Sequence, residues 1–183
     1  MPWDIRRLLP GHGWSTRNGC KTIVLDRGAV QFDYPRSWMV EPGAVTVALL
    51  DRKPPKGNRL EVCCFRLPPR DWSRLPVADL VDDVTSKPRK YAVYGPLREE
   101  IRRGIEIAWR DSTFMPSQAW LAHHARCFRV CVARLGNVHC LLTYEFACLH
   151  RARCNDAWDT VLETLQLDRV IADPREGPGL ACS

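Results

Sequence analysis

Histidine and cysteine crowd one stretch of this chain. His123, His124, Cys127, Cys131, His139, Cys140, Cys148, His150 and Cys154 all fall between positions 123 and 154. Thiolate and imidazole are the usual ligands of structural zinc, so the first chemistry to weigh is a site built from Cys127, Cys131, Cys140 and one histidine. The spacing speaks against it. Structural zinc takes ligands from knuckles or helix turns, and the chain contains no Cys-x-x-Cys. The second chemistry is a thiol nucleophile. It needs a thiolate next to a base that a third group orients, and no local signature marks one. The sequence also has no Gly-rich phosphate loop, Gly-x-Ser-x-Gly elbow or His-Glu-x-x-His helix. The carboxylate pairs Asp82-Asp83 and Glu99-Glu100 sit among basic residues and read as solvated faces. No catalytic, cofactor-binding or metal residue is assigned, and the expectation is a protein that is not an enzyme and carries no cofactor. A metal- or thiol-dependent site in the segment His123–Cys154 stands as the alternative.

The elements that would position these residues explain why packing is the better reading. The run Cys127–Leu135 meets Val138–Ala147 across Gly136-Asn137, a pair that favours a tight hairpin turn with positive φ. The register follows: Leu135 opposite Val138, Ala133 opposite Cys140, Cys131 opposite Leu142, Arg129 opposite Tyr144, Cys127 opposite Phe146. A strand period of two puts all of these on one apolar face. Cys127, Cys131 and Cys140 are therefore expected to be buried, reduced and free of metal, since free cysteine behaves as a small hydrophobe. Cys63 and Cys64, adjacent in a strand, point to opposite faces. Cys182 lies in a tail and is expected to be accessible. Nine cysteines is an odd number, so full intramolecular pairing is impossible.

Both faces of the hairpin are apolar, so both need a cover. One helix follows Ser73 and Pro76, with Val77, Leu80, Val81 and Val84 at i, i+3, i+4 and i+7. A second has Asn155 as its expected N-cap and Trp158, Val161, Leu162 and Leu165 as its stripe, with Asp156 and Asp159 in its first turn. Strands are expected over Thr22–Asp26, Val30–Tyr34, Val45–Leu50, Leu60–Arg66, Tyr91–Tyr94, Leu97–Arg102 and Ile105–Trp109. The fold class is α+β, an antiparallel sheet flanked by helices in an α/β/α sandwich. Residues 1–19 read as a loose arm, 20–170 as one domain, and 171–183 as a flexible tail. Trp38, Trp72, Trp109 and Trp158 fall at element edges and are expected to plug the sheet–helix seams. Trp3 and Trp14, in the arm, are the candidates for an exposed anchor on a partner.

Composition narrows the function classes. The chain has 183 residues, enough for one domain with its own core. Its net charge is +6, but the surplus forms no stripe or tail. Residues 51–110 carry 14 basic and 9 acidic side chains, and 148–183 carry 4 and 6. Weak nucleic-acid binding through the arginine surplus is thus a further alternative, not the leading one. No stretch reaches the roughly 18 consecutive apolar residues of a membrane helix. The first thirteen residues lack the apolar core of a secretory signal, so the expected compartment is the cytoplasm.

The stretch Val30-Gln-Phe-Asp-Tyr-Pro-Arg-Ser-Trp38 resembles the entry strand of the PsbP-like family, with its DcrB-like bacterial members. The helix Asp156–Leu167, with Trp158 and Leu162-Glu-Thr-Leu165, is similar to the helix that closes those domains. The order of elements agrees over about residues 22–168. The resemblance implies a fold more than an activity. Members act as assembly factors, accessory subunits, binders of small GTPases or chaperones of secretion effectors. It carries no functional residue onto a position here. The resulting expectation is a non-catalytic protein-binding, assembly or chaperone-like domain whose partner is another protein.

Overall fold

The turn chemistry forms as the residues dictate. In the computed structural model, which describes residues 7–53, 57–85, 92–114 and 125–178, Gly136 takes φ +57°. It joins β8 (Arg126–Leu135) to β9 (Val138–Ala147) in the expected register, from Leu135 opposite Val138 to Cys127 opposite Phe146. A second tight turn uses Arg103 and Gly104, both at positive φ. It joins β6 (Ala92–Arg102) to β7 (Ile105–Phe114). β6 is one long strand where the sequence reads two, with a register irregularity between Tyr94 and Leu97 that accommodates Gly95 and Pro96.

Seven strands form an antiparallel sheet. In spatial order they are β3 (Met39–Pro42), β4 (Val47–Leu50), β5 (Arg59–Arg66), β9, β8, β7 and β6. Helix α1 (Val77–Thr85) lies on one face, against β7 and β8. Val77, Ala78 and Val81 pack there on Ala108 and Val132. Val84, the fourth member of the predicted stripe, is exposed, and Ala78 takes its place.

The other face is covered by two structures together. β1 (Cys20–Leu25), β2 (Val30–Pro35) and the short β10 (Gln166–Leu167) form a separate three-stranded sheet. Helix α2 (Arg151–Thr164) runs beside it, and the Asp33 backbone N–H on the edge of β2 donates to the Thr164 hydroxyl at 2.8 Å. Phe32, Tyr34, Trp38, Trp158, Val161 and Leu162 pack from this layer onto Cys131, Cys140, Leu142, Tyr144 and Phe146 of the large sheet. Each fully buried aromatic or branched side chain contributes about 1.5–3 kcal/mol, so this layer is the main source of stability. The architecture is α+β, as expected, with an extra small sheet that the strand pattern does not reveal.

Two expectations about ends change. Asn155 does not cap α2. The helix begins a turn earlier at Arg151, after a 3₁₀ turn over Cys148–His150, so neither Asp156 nor Asp159 lies in its first turn. The described parts of the segments read as a loose arm and a flexible tail are joined. Leu9 N–H donates to the Arg175 carbonyl at 3.1 Å, Gly13 N–H to the Glu176 carbonyl at 2.6 Å, and Trp14 Nε1–H to the Pro174 carbonyl at 2.7 Å. Each segment lacks periodicity because its described residues form no strand or helix; the two hold each other through backbone groups that composition does not encode.

Candidate functional site

The strand period distributes the crowded histidines and cysteines over both faces of the sheet. Cys131 and Cys140 face the main core and are fully buried. Cys154 reaches the same core from α2. His139, one residue before Cys140, points to the α1 side, beside Arg134 and edge-on to Trp72 at 5.6 Å. His150 sits in the 3₁₀ turn. Among the described residues, no three His, Cys, Asp or Glu side chains converge as a metal site would require. His123, His124, Cys182 and Trp3 lie outside the described residues.

One expectation is overturned. Cys127 is buried but not reduced: it is bonded to Cys148. Cys127 lies near the start of β8, opposite Phe146, and the chain folds back through the 3₁₀ turn just after β9. That reversal brings the two Cα atoms to 5.4 Å, within disulfide reach. The sequence reading missed the pair because it rested on an assumed reducing compartment. The Arg151 guanidinium lies 2.9 Å from Cys127 Sγ and also donates to the Thr113 hydroxyl at 3.3 Å.

The remaining thiols among the described residues are poor nucleophiles. Burial pushes the Cys131 and Cys140 thiols well above their ordinary range, and Cys64 up to about 11. Burial also raises Cys20, Cys63 and Cys154. A thiol held protonated at neutral pH does not attack.

Under α2 the core becomes polar. Arg129 occupies an inward position of β8 and is 3% exposed. Its guanidinium donates to both Asp111 carboxylate oxygens and makes a further bond to Asn155 Oδ1 at 3.1 Å. It stacks over Trp158 at 5.0 Å and Phe146 at 5.9 Å. The Tyr144 ring sits 5.9 Å from Trp38 and 6.4 Å from Trp158, nearly parallel to the latter. A cleft of about 220 Å³ opens above this cluster, lined among others by Trp38, Asp51, Tyr144, Cys154 and Asp156. Burial, and then the neighbouring Cys154, raise the Tyr144 phenol far above its ordinary range. Asp51 is occupied by the Asn58 backbone and side-chain amides, both at 2.7 Å. No histidine lines the cleft; its titratable bases are the carboxylates of Asp51 and Asp156. The sequence signal for the cluster was present: an arginine at an inward register position demands a buried carboxylate, and Asp111 is that carboxylate.

Three of the four tryptophans follow the seam reading, whereas Trp72 lies outside both core clusters. Trp38 and Trp158 are buried, and Trp109 packs against the core. Trp14 is half-buried and held by the tail.

The fold is shared with solved proteins of distant sequence. It superposes on the cyanobacterial PsbP (CyanoP) of Synechocystis sp. PCC 6803 with a TM-score of 0.60 at 14% identity, covering 85% of this chain and 98% of that one. LpqN of Mycobacterium tuberculosis, described as involved in cell envelope biogenesis, gives 0.60 at 8% identity, covering 83% and 93%. The Ran-binding protein Mog1p of Saccharomyces cerevisiae gives 0.52 at 9% identity, covering 81% and 95%. These likenesses establish the PsbP-like fold. In sequence, the chain is 31% identical over 172 residues to the protein alr1449 of Nostoc sp. strain PCC 7120, itself uncharacterised, covering 93% of this chain and 88% of the relative. The Alr1449 profile matches residues 21–171, which takes in both sheets, both helices and the Arg129 cluster; the chain belongs to the Alr1449 family.

Proposed function

We propose that this protein is a non-catalytic accessory domain that binds another protein, and that the partner meets the outer edge of β6. The observation that carries the reading is the contrast between core and edge. The reactive groups of the core are neutralised by burial or by one another, as the Arg129–Asp111 pair and the raised thiols illustrate. The edge strand, in contrast, presents Ile101 at 78% and Val93 at 65% exposure, with Tyr94 partly exposed beside Val93. An exposed apolar edge is a ready surface for association. The irregularity at Gly95-Pro96 discourages simple strand addition, so side chains dominate the contact. The likeness to Mog1p, a Ran-binding protein, supports a protein partner for this fold without naming it here.

A photo-crosslinker placed at Ile101 in the native host tests this. A discrete protein adduct is expected, and Ile101→Lys should weaken co-purification of the same protein at least tenfold. Absence of any adduct at positions 93 and 101, together with turnover of a small molecule by the purified protein, would refute the reading.

A further inference from the structure

We propose that the cavity between the N-terminal arm and the small sheet is a binding site for a small, neutral, polyhydroxylated ligand, of the sugar or cyclic-polyol class. The cavity measures about 310 Å³, at the lower end of the range for small-molecule sites. It lies over the face of β2 that looks away from the core. That face carries Gln31 and Asp33, each only 6% exposed although both are polar. The arm closes over them, with the Arg17 backbone N–H donating to Asp33 Oδ2 at 2.9 Å. Arg17 also pairs with Glu163 of α2 across the mouth.

One buried atom in this wall has no partner. Arg169 Nη1 donates to Gln166 Oε1 at 2.7 Å, and Gln31 Nε2 donates to the same oxygen at 3.1 Å. A guanidinium only donates, so the Gln166 atom facing it must be the oxygen. The Gln31 atom facing that oxygen must then be the nitrogen, which fixes the amide orientation. Gln31 Oε1 is left buried without a donor among the described residues. Such an orphaned acceptor costs about 1–3 kcal/mol unless something donates to it.

The neighbours define what that donor is. The Thr22 hydroxyl gives its proton to Asp33 Oδ1 at 2.6 Å, so at its 2.9 Å contact with Thr16 it accepts the Thr16 proton. The Thr16 oxygen and the second lone pairs of Asp33 are therefore acceptors. Arg103, from the β6–β7 turn, lines the same cavity and makes no ion pair among the described residues, so it supplies donors. Among the residues that line the cavity, Arg17 and Arg103 balance Asp33 and Glu163, and the Arg169 charge behind the wall is turned toward Gln166. Trp14 adds apolar wall, its indole N–H already committed to the Pro174 carbonyl. A wall of acceptors, one free guanidinium, a neutral balance and an aromatic side chain match a ligand whose hydroxyls both donate and accept around a C–H framework.

Saturation-transfer NMR on the full chain tests this, with D-glucose, myo-inositol and glycerol as separate probes and acetate and tetramethylammonium as charged controls. Saturable transfer is expected to D-glucose or myo-inositol and to neither control. Gln31→Met removes the orphaned acceptor and Arg103→Gly removes the guanidinium while suiting the positive φ; each should weaken binding about tenfold or more. Should Gln31→Met fail to fold, Arg103→Gly decides alone. No saturable transfer to any of the three polyols, tighter binding of a charged control, or unchanged affinity in the folded variants would each overturn the proposal.

Discussion

Arg129 and Asp111 stand directly opposite each other on β8 and β7 and join through two parallel hydrogen bonds, Nε to Oδ1 at 2.6 Å and Nη2 to Oδ2 at 2.9 Å. The pair lies on the core face, with the arginine side chain 4% exposed and the aspartate 21%. Geometry this good offsets the desolvation of both charges, but only while both are present. Arg129→Ala should destabilise the protein by about 3–5 kcal/mol, because it leaves the carboxylate unpaired and exposes Trp158 and Phe146 to a void. Arg129→Lys should rescue little, since an ammonium has neither the fork nor the planar stack. The double variant Arg129→Met/Asp111→Leu should recover most of the loss. Urea unfolding of the four proteins measures this.

The Cys127–Cys148 bond closes a loop with a sequence separation of 21. Chain-entropy reasoning gives about 3 kcal/mol for a loop of this size. Cys148→Ser should lower the stability of the oxidised protein by up to about that amount and should leave the reduced protein nearly unchanged. Peptide mapping of the native protein after thiol labelling should find Cys131 and Cys140 unmodified until denaturant is added, as their burial requires. Rapid labelling of either in the folded state would contradict the packing described above. Trapping thiols directly in cells reads the bond in place, and because a reducing cytoplasm would hold it open, a bonded pair there would contradict the expected compartment.

What the sequence discloses follows from which signals are local. The β8–β9 hairpin is legible because Gly136-Asn137 fixes the turn, and alternation then fixes every inward residue down to Phe146. Trp158 and its neighbours on α2 are legible from their helical spacing. The partners that distant polar groups find are not, even where an inward arginine such as Arg129 shows that one is needed. Nothing near Arg134 announces that it will be 2% exposed, paired with Glu106 and bonded to the Trp72 and Leu75 carbonyls at 2.8 and 2.6 Å. That arginine ties the loop before α1 to the sheet, and only the register of β7 on β8 reveals it. The arm–tail pairing and the polar cavity are hidden for the same reason: Trp14 meets Pro174, Arg17 meets Glu163 and Gln31 meets Gln166 across more than a hundred residues.

His139 gives the protein a pH-dependent element. Its burial, and then the positive charge of Arg134, hold its imidazole below the ordinary pKa of about 6.5, with Glu106 opposing more weakly. The folded state thus binds fewer protons than the unfolded state at mildly acidic pH, and stability rises with pH there. The contribution is complete above about pH 6.5 and is lost as pH falls through the lower folded value. Urea unfolding at pH 7.5 and at pH 5.5 should show a decline that is smaller in His139→Phe, which keeps the edge contact to Trp72 and cannot titrate. An equal decline in both proteins would assign the pH dependence elsewhere.

The turn between β1 and β2 makes the last prediction. Asp26, Arg27 and Gly28 all take positive φ, at 44°, 52° and 100°. The turn is clamped from outside by Arg66, which pairs with both Asp26 and Asp168, and by three backbone bonds to the segment after β10, at Asp168, Arg169 and Ile171. Those bonds bring the Arg169 carbonyl so close to Gly28 that a Cβ there would lie 2.2 Å from its oxygen. The clash is with backbone, so it cannot be relieved by a rotamer change; the β10 segment has to detach from the turn. Gly28→Ala should therefore cost about 3 kcal/mol or more. Gly136→Ala separates this from conformational strain alone. Gly136 also has a positive φ, but a Cβ there meets nothing within 4 Å. It should cost only about 1–2 kcal/mol, the price of a left-handed alanine. If the two substitutions destabilise equally in urea, the close approach of Arg169 to Gly28 is not what holds β10 in place.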